Sequence, residues 1–187
     1  MVWSPKTVAL SMIIVTAGLG CASRVTPSTQ LTASPRALGT LTEERAGEQL
    51  FIGREREPTL IKVDSTTAGA REMVVMMRVL DPGASLGRHR HGDDELIFVH
   101  SGDVTAILGG VDRAATTGAT IFIPGNAWMN VRNTGARPAT LLIVFAAPHM
   151  AAYIRSLGTR PHEPKRDLTP EILRPLAARH GITFADP

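Results

Sequence analysis

The chain has 187 residues, a formal net charge of +3 at pH 7 and only 4% aromatic residues. Its basic residues are scattered and interleaved with acids, which excludes the clustered basic surface and stacking aromatics of a nucleic-acid-binding protein. A single cysteine excludes an internal disulfide bond. The length left after an N-terminal leader suits one domain with one hydrophobic core.

Residues 1–21 have the pattern of an export signal. Lys6 supplies a positive charge, and residues 8–19 form an apolar run well short of the ~20 residues that a spanning helix needs. The run closes in the lipobox-like sequence Gly18-Leu19-Gly20-Cys21, so Cys21 is predicted to be lipidated. Resemblance to lipoprotein sorting signals, with Ala22 next, predicts the periplasmic side of the outer membrane. The alternative is ordinary signal cleavage, for instance after Ala22, which would release a soluble periplasmic protein.

A tether and a folded domain are predicted after the signal. Residues 22–40 are rich in Ser, Thr and Pro and lack apolar periodicity, which is typical of a flexible tether. Residues 41–187 are predicted to fold. The domain is expected to start with a short helical turn over residues 42–51, with Thr42 as its N-cap.

Short β-rich runs divided by Gly, Pro and Asn predict an all-β fold of the jelly-roll or barrel type, with a core at about residues 58–146. Besides the strand ends described below, the predicted strands are 59–64, 72–80, 104–108, 111–116, 120–123, 128–133 and 139–145. A helical extension is expected at about residues 147–184. Its helices are predicted at 150–157 and 170–179, the second with Thr169 as N-cap and Pro170 in the first position, and Gly181 ends it.

The stretch from Gly83 to Gly102 carries the candidate chemistry. In a strand, alternate side chains share a face, so His89 and His91 project together. The sequence Gly-Asp-Asp then predicts a turn, and Glu95 opens the next strand. Two imidazoles and a carboxylate from adjoining strand ends suit a divalent transition metal with open coordination positions. Asp93 and Asp94 are predicted to be turn residues, one of which could hold a ligand histidine through its second ring nitrogen.

This spacing resembles the first signature motif of the cupin superfamily, and residues 118–133 resemble the second. The second motif departs at Asn126, where the family has Gly, and at Met129, where it has its fourth metal ligand, His. The resemblance is to single-domain bacterial type-2 cupins, many of them quercetinase-like. It implies a double-stranded β-helix, that is, a jelly-roll barrel, followed by a short C-terminal helical extension.

Strand alternation places the Met129 side chain in the pocket where the family's fourth ligand would lie. Two interpretations of Met129 remain open at this point. It is either an apolar residue that fills the pocket wall or a thioether ligand, which would suit copper(I).

Two functions are consistent with these residues. The first is a metal-dependent enzyme that acts on a small organic molecule, with iron(II) at His89, His91 and Glu95 favouring a dioxygenase-type oxidation. Zinc, manganese and copper are the alternative metals, and zinc or manganese would favour isomerase or Lewis-acid chemistry. The second function is a non-catalytic periplasmic module that binds a small molecule or sugar at a degenerate metal site.

The chain is also predicted to form a homodimer, by analogy with the family. Leu96 and Phe98 alternate with Glu95 and should leave an apolar outer face on a central strand. His100 shares that face and is predicted to point out of the barrel. The only predicted contact with a membrane is through a lipid anchor.

Overall fold

A computed structural model describes residues 39–53 and 56–186. The predicted signal peptide, the lipidation site Cys21 and the tether up to residue 38 lie outside the described residues. Within the described part of the chain, no helix has the length and apolar character needed to cross a membrane.

Two antiparallel sheets form the body of the domain. The larger contains β1 (Glu48–Ile52), β2 (Glu57–Val63), β3 (Val74–Leu80), β5 (Glu95–Ser101), β8 (Thr120–Ile123) and β10 (Ala139–Phe145). The smaller contains β4 (His89–Arg90), β6 (Asp103–Leu108), β7 (Val111–Thr116), β9 (Met129–Asn133) and β11 (Thr183–Phe184). Their strand orders are β1-β2-β3-β10-β5-β8 and β11-β4-β9-β6-β7. The predicted all-β jelly roll is therefore confirmed.

The core lies between the buried faces of the two sheets. Alternate residues of β10, from Ala139 to Phe145, are buried, as the period of two in a strand requires. The neighbouring strands β3 and β5 follow the same alternation. Two charged residues occupy inward positions among these apolar rows: Arg78 on β3 and Glu95 on β5. Their burial is the first structural sign of a site inside the barrel.

The helical turn predicted over residues 42–51 is wrong. A turn at residues 44–45 is followed by strand β1, in which Leu50 and Ile52 are buried and Gln49 is exposed. The alternation of buried and more exposed residues in EQLFI fits a strand better than a helix. Phe51 also exchanges two backbone hydrogen bonds with Thr159. The main partner of β1 is β2, from Glu48 opposite Ile61 to Ile52 opposite Glu57, and this sheet pairing overrides local helix propensity.

The C-terminal extension contains two short helices and a returning strand. Helix α1 (Met150–Leu157) matches the predicted bounds, and α2 (Pro170–Ala178) ends one residue earlier than predicted. Thr169 has the extended N-cap backbone, although its side chain makes no capping hydrogen bond, and Pro170 is the first helical residue. The sheets extend beyond the predicted core of residues 58–146, because β1 and β11 both join them.

An ion-pair cluster fixes α1 against the larger sheet. Nε and Nη2 of Arg155 donate to Glu48 Oε2 at 2.8 and 2.6 Å, and Nη2 lies 2.7 Å from Asp64 Oδ2. Burial alone would raise the pKa of Asp64, but hydrogen bonds from the Thr67 backbone N–H, Arg155 and the Thr67 hydroxyl outweigh it and hold that pKa below its ordinary value. The cluster therefore holds in place the helix that forms one wall of the cavity described below.

Candidate metal centre

The structure brings together His89, His91 and Glu95. His89 lies on β4 of the smaller sheet, His91 follows that strand directly, and Glu95 opens β5 of the larger sheet. One ligand atom from each lies within 4.8 Å of the other two. His91 and Glu95 are 4% and 2% exposed, so the donor set is formed inside the barrel.

His91 and Glu95 are hydrogen-bonded at a separation that two ligands of one ion would also have. His91 Nε2 lies 3.0 Å from Glu95 Oε2. Metal–ligand bonds of about 2.1 Å place neighbouring ligands at right angles roughly 3.0 Å apart. The other ring nitrogen of His91, Nδ1, is buried with no hydrogen-bond partner among the described residues. The nitrogen of His91 that could ligate an ion together with Glu95 is therefore Nε2, since it is the one beside the carboxylate.

His89 is held in the tautomer that metal binding needs. Its Nδ1–H donates to the Gly87 carbonyl oxygen at 2.8 Å, which leaves the Nε2 lone pair free. Burial lowers the pKa of His89, and the charge of Arg78 acts in the same direction. The imidazole is thereby kept neutral, the form in which a histidine coordinates a metal. The Phe184 ring packs on it with centroids 5.5 Å apart.

The turn after His91 is fixed by the turn that precedes β9. The backbone N–H of Asn126 donates to the His91 carbonyl at 2.6 Å. Asn126 has φ = 66°, in the left-handed region that Gly favours and Asn tolerates better than most residues. This explains why Asn can stand where the second motif has Gly. Gly125 packs so closely on Gly92 that an added Cβ would lie 2.2 Å from the Gly92 carbonyl oxygen.

Neither Asp93 nor Asp94 contacts a ligand histidine, so the prediction that one of them holds such a histidine is wrong. Asp93 Oδ2 lies 3.4 Å from Nε2 of His149, and Asp94 Oδ1 accepts a hydrogen bond from the Gly125 N–H. The Gly87 carbonyl takes the predicted role instead, at His89. A backbone acceptor two residues away leaves no side-chain signature in the sequence, which is why the sequence did not reveal it.

Met129 lies in the apolar core. It is 1% exposed, and in the pairing of β9 with β4 it stands opposite His89. Asn133, the last residue of the second motif, is fully buried and structural. Its Nδ2 donates to the carbonyls of Leu80 and Arg137, and its Oδ1 accepts from the Gly135 N–H.

A cavity of about 590 Å³ opens beside His89 and Glu95. Apolar side chains from β10, α1 and β11 form much of its wall, among them Ile143, Phe145, Met150, Ile154 and Phe184. Tyr153 and Arg78 also line it, and burial raises the pKa of the Tyr153 phenol, which therefore stays neutral. Sequence reasoning missed Arg78, although an arginine at an inward position of the run VVMMRVL was a visible signal.

Residues 76–145 match the family model of the cupin domain. The fold is a cupin fold. Solved cupin structures share it at low sequence identity: a predicted oxalate decarboxylase from Thermotoga maritima is 17% identical with a TM-score of 0.50, over 57% of this chain and 97% of that one. KdgF from a Halomonas species is 14% identical with a TM-score of 0.50, over 58% of this chain and 94% of that one.

A protein from Thermus thermophilus is 27% identical with a TM-score of 0.45, over 51% of this chain and 88% of that one. No curated protein matches the chain. The family model and the two structures with a TM-score of 0.50 support the cupin fold and do not assign a reaction.

Proposed function

We propose that this cupin is an exported metal-dependent enzyme that performs a dioxygenase-type oxidation of a small organic molecule. One observation carries the proposal: two histidines and a glutamate converge inside the barrel, and two of them, His89 and Glu95, line a cavity large enough for a small molecule. A set of two histidines and one carboxylate leaves coordination positions open for substrate and dioxygen.

His89, His91 and Glu95 would hold the ion. Iron(II) bound there would supply redox chemistry toward dioxygen, whereas zinc, manganese or copper in the same set would supply Lewis-acid or other redox chemistry. The chain's own residues provide the surroundings. The Gly87 carbonyl orients the His89 ring, and the apolar wall, including Phe184, keeps bulk water away from the donor atoms.

Metal analysis of protein purified without chelator tests the site. We expect about one equivalent of divalent metal per chain, and we expect its loss in His91→Ala and Glu95→Gln. His100→Ala is the matched control, because His100 is an exposed histidine on the same strand as Glu95. Metal content that is unchanged in His91→Ala would rule out this donor set.

Oxygen uptake distinguishes the enzyme from a binding module. With iron loaded, we expect uptake with at least one member of a panel of phenols, enols and carboxylic acids, and no uptake in His91→Ala. Tight binding of a panel member without oxygen uptake or product would instead support the non-catalytic module. The replacement of the family's fourth ligand by Met129 is the feature that favours that second function.

We also infer export and lipid anchoring, supported by the sequence of residues 1–21. Cys21 would carry the lipid, and the mature protein would lie at the periplasmic side of the outer membrane. Fatty-acid labelling should mark the wild type and not Cys21→Ser. A labelled Cys21→Ser variant would overturn the anchor, and an unlabelled wild type cleaved elsewhere would favour the soluble periplasm.

A homodimer is proposed for the assembly. Leu96 of β5 stands opposite Phe122 of β8, and these side chains are 37% and 59% exposed on the outer face of the larger sheet. Lys62 and His100 contact the segment around Glu44, which therefore covers another part of this face. The exposed Leu96–Phe122 pair remains for a second copy.

A further inference from the structure

Arg78 lies in the cavity wall with an incomplete set of hydrogen-bond acceptors. Its side chain is 10% exposed, and the residue lies between Met76 and Leu80 in the inward row of β3. Nη2 donates to Glu57 Oε2 at 3.3 Å, but Nε is buried with no partner among the described residues. A buried charged donor without an acceptor is costly, so the position fits an acceptor supplied by a ligand.

Glu57 does not saturate the guanidinium. The contact is a single long one to one carboxylate oxygen, and the other oxygen accepts from the Asp81 backbone N–H at 3.4 Å. A guanidinium presents its donors as a planar fork that matches a carboxylate through two parallel hydrogen bonds. Since Arg78 also lines the cavity, a molecule inside it lies beside a guanidinium that Glu57 does not saturate.

Arg78 and Glu95 lie at different levels of the larger sheet. Leu141 on β10 pairs with Arg78, whereas Phe145, four residues further along the same strand, pairs with Glu95. The two Cα atoms are therefore roughly 13 Å apart along the strands and about 10 Å apart across them. A ligand held at Arg78 can extend toward the metal-binding atoms along a wall that is largely apolar.

The cavity lining favours a ligand with one carboxylate. Arg78 is its buried guanidinium, and the donor fork of one guanidinium matches one carboxylate. Lys165 and Arg166 also line the cavity, against one acid, Asp167, on the same segment, and favour the approach of an anion.

We infer that the cavity recognises a small organic monocarboxylate. Its carboxylate accepts hydrogen bonds from Arg78, and its apolar body extends toward His89 and Glu95. The inference rests on the proposed function only for a reaction at the metal-binding residues. Recognition of the carboxylate by Arg78 does not require a metal.

Binding to metal-stripped full-length protein tests the inference. The probes are the straight-chain monocarboxylates from butanoate to decanoate, each paired with its neutral primary amide, and the measurement is isothermal titration calorimetry. We expect at least one acid to bind about tenfold or more tightly than its amide. Equal affinity of every acid and its amide would overturn the inference.

Variants at the ion pair assign the preference to Arg78. Removing Arg78 alone would leave Glu57 buried and unpaired, so the double variant Glu57→Gln/Arg78→Gln removes both charges together. It should keep the far-ultraviolet circular dichroism of the folded protein and bind acid and amide equally. Glu57→Gln is the matched control and should retain or strengthen the acid preference. A preference that persists in the double variant would overturn the assignment.

The outcomes separate this inference from the proposed function. An acid preference that depends on Arg78 in a protein that binds no divalent metal would support the inference and refute the metal enzyme. Metal-dependent oxygen uptake with neutral substrates, unaffected in Glu57→Gln/Arg78→Gln, would support the enzyme and refute carboxylate recognition.

Discussion

Met129 lies directly opposite His89 in the antiparallel pairing of β9 with β4. Cross-strand partners project to the same face of a sheet, so the Met129 side chain and the His89 imidazole both point into the barrel. Met129 is almost fully buried there. The Met129 thioether therefore occupies the position that a histidine side chain at residue 129 would take beside His89, His91 and Glu95.

Replacing Met129 with His should tighten metal binding. If His89, His91 and Glu95 hold a divalent ion, the new imidazole adds a ligand to a preformed pocket, and we expect a gain of about ten- to a thousand-fold in affinity. The measurement is competition for zinc or cobalt(II) against a chromogenic chelator. The gain should disappear when His91→Ala is combined with Met129→His, because both residues act through one ion.

Other outcomes for this variant are also informative. Unchanged affinity for zinc and cobalt(II) would mean that position 129 does not face a metal site. Loss of copper(I) binding in Met129→His would show that the thioether is itself a ligand, and would turn the proposed chemistry toward copper.

Much of the barrel could be predicted from local sequence. Strands β7, β8 and β10 and helix α1 coincide with predicted bounds because each lies between turn residues and has its own periodicity. Two strands were not predicted, β1 and β11. β1 pairs with the neighbouring β2, and its sequence was compatible with a helical turn as well as with a strand. β11 pairs with the distant β4, where Phe184 stands opposite His89, and such pairing is set by the assembled fold.

Of the candidate site, only the side-chain donors could be predicted from the sequence. The spacing of His89, His91 and Glu95 was sufficient to place them together, since strand alternation and a tight turn fix their directions. The backbone acceptor at Gly87 and the left-handed conformation of Asn126 depend on chain geometry, which residue types alone do not specify.

Gly125→Ala should disturb the metal centre through its backbone. The added Cβ would meet the Gly92 carbonyl oxygen at 2.2 Å, so one of the two turns must move, and the segment after His91 moves with it. We expect a loss of about 1–3 kcal/mol in the free energy of unfolding. Weaker metal binding should accompany it.

Gly92→Ala is the matched control for the Gly125 variant. Gly92 belongs to the same contact, but a Cβ there would have no atom within 4 Å. It should leave stability and metal affinity close to the wild type, as measured by urea unfolding and chelator competition. Equal effects of the two substitutions would contradict the packing argument.

Asp64→Asn should cost stability at neutral pH and progressively less in acid. Hydrogen bonds from the Thr67 backbone and Arg155 hold the pKa of Asp64 below its unfolded value of about 3.9, so its contribution is present above that pH and is lost as the pH falls through the folded pKa. We expect a difference of about 1–3 kcal/mol at pH 7. Urea unfolding from pH 7 downward should show the stabilities of the two proteins converging below about pH 4.

Asp112→Asn is the control for this variant. Asp112 lies at an exposed position on β7, so its replacement should change stability little at any pH. A gap between wild type and Asp64→Asn that is constant with pH would contradict the ionic role of Asp64.

Leu96→Glu and Phe122→Glu should each turn the proposed dimer into a monomer. Both side chains lie on the exposed outer face of the larger sheet, and a charge at the centre of a two-fold interface would be repeated on the facing copy. Multi-angle light scattering at micromolar concentration should give a dimer mass for the wild type and a monomer mass for each variant.

Val111→Glu is the control for these two variants. Val111 is an apolar residue of similar exposure, 52%, on the smaller sheet, so its replacement should leave the dimer intact. A monomer mass for the wild type would rule out the dimer, and a dimer mass for all three variants would move its interface to another face.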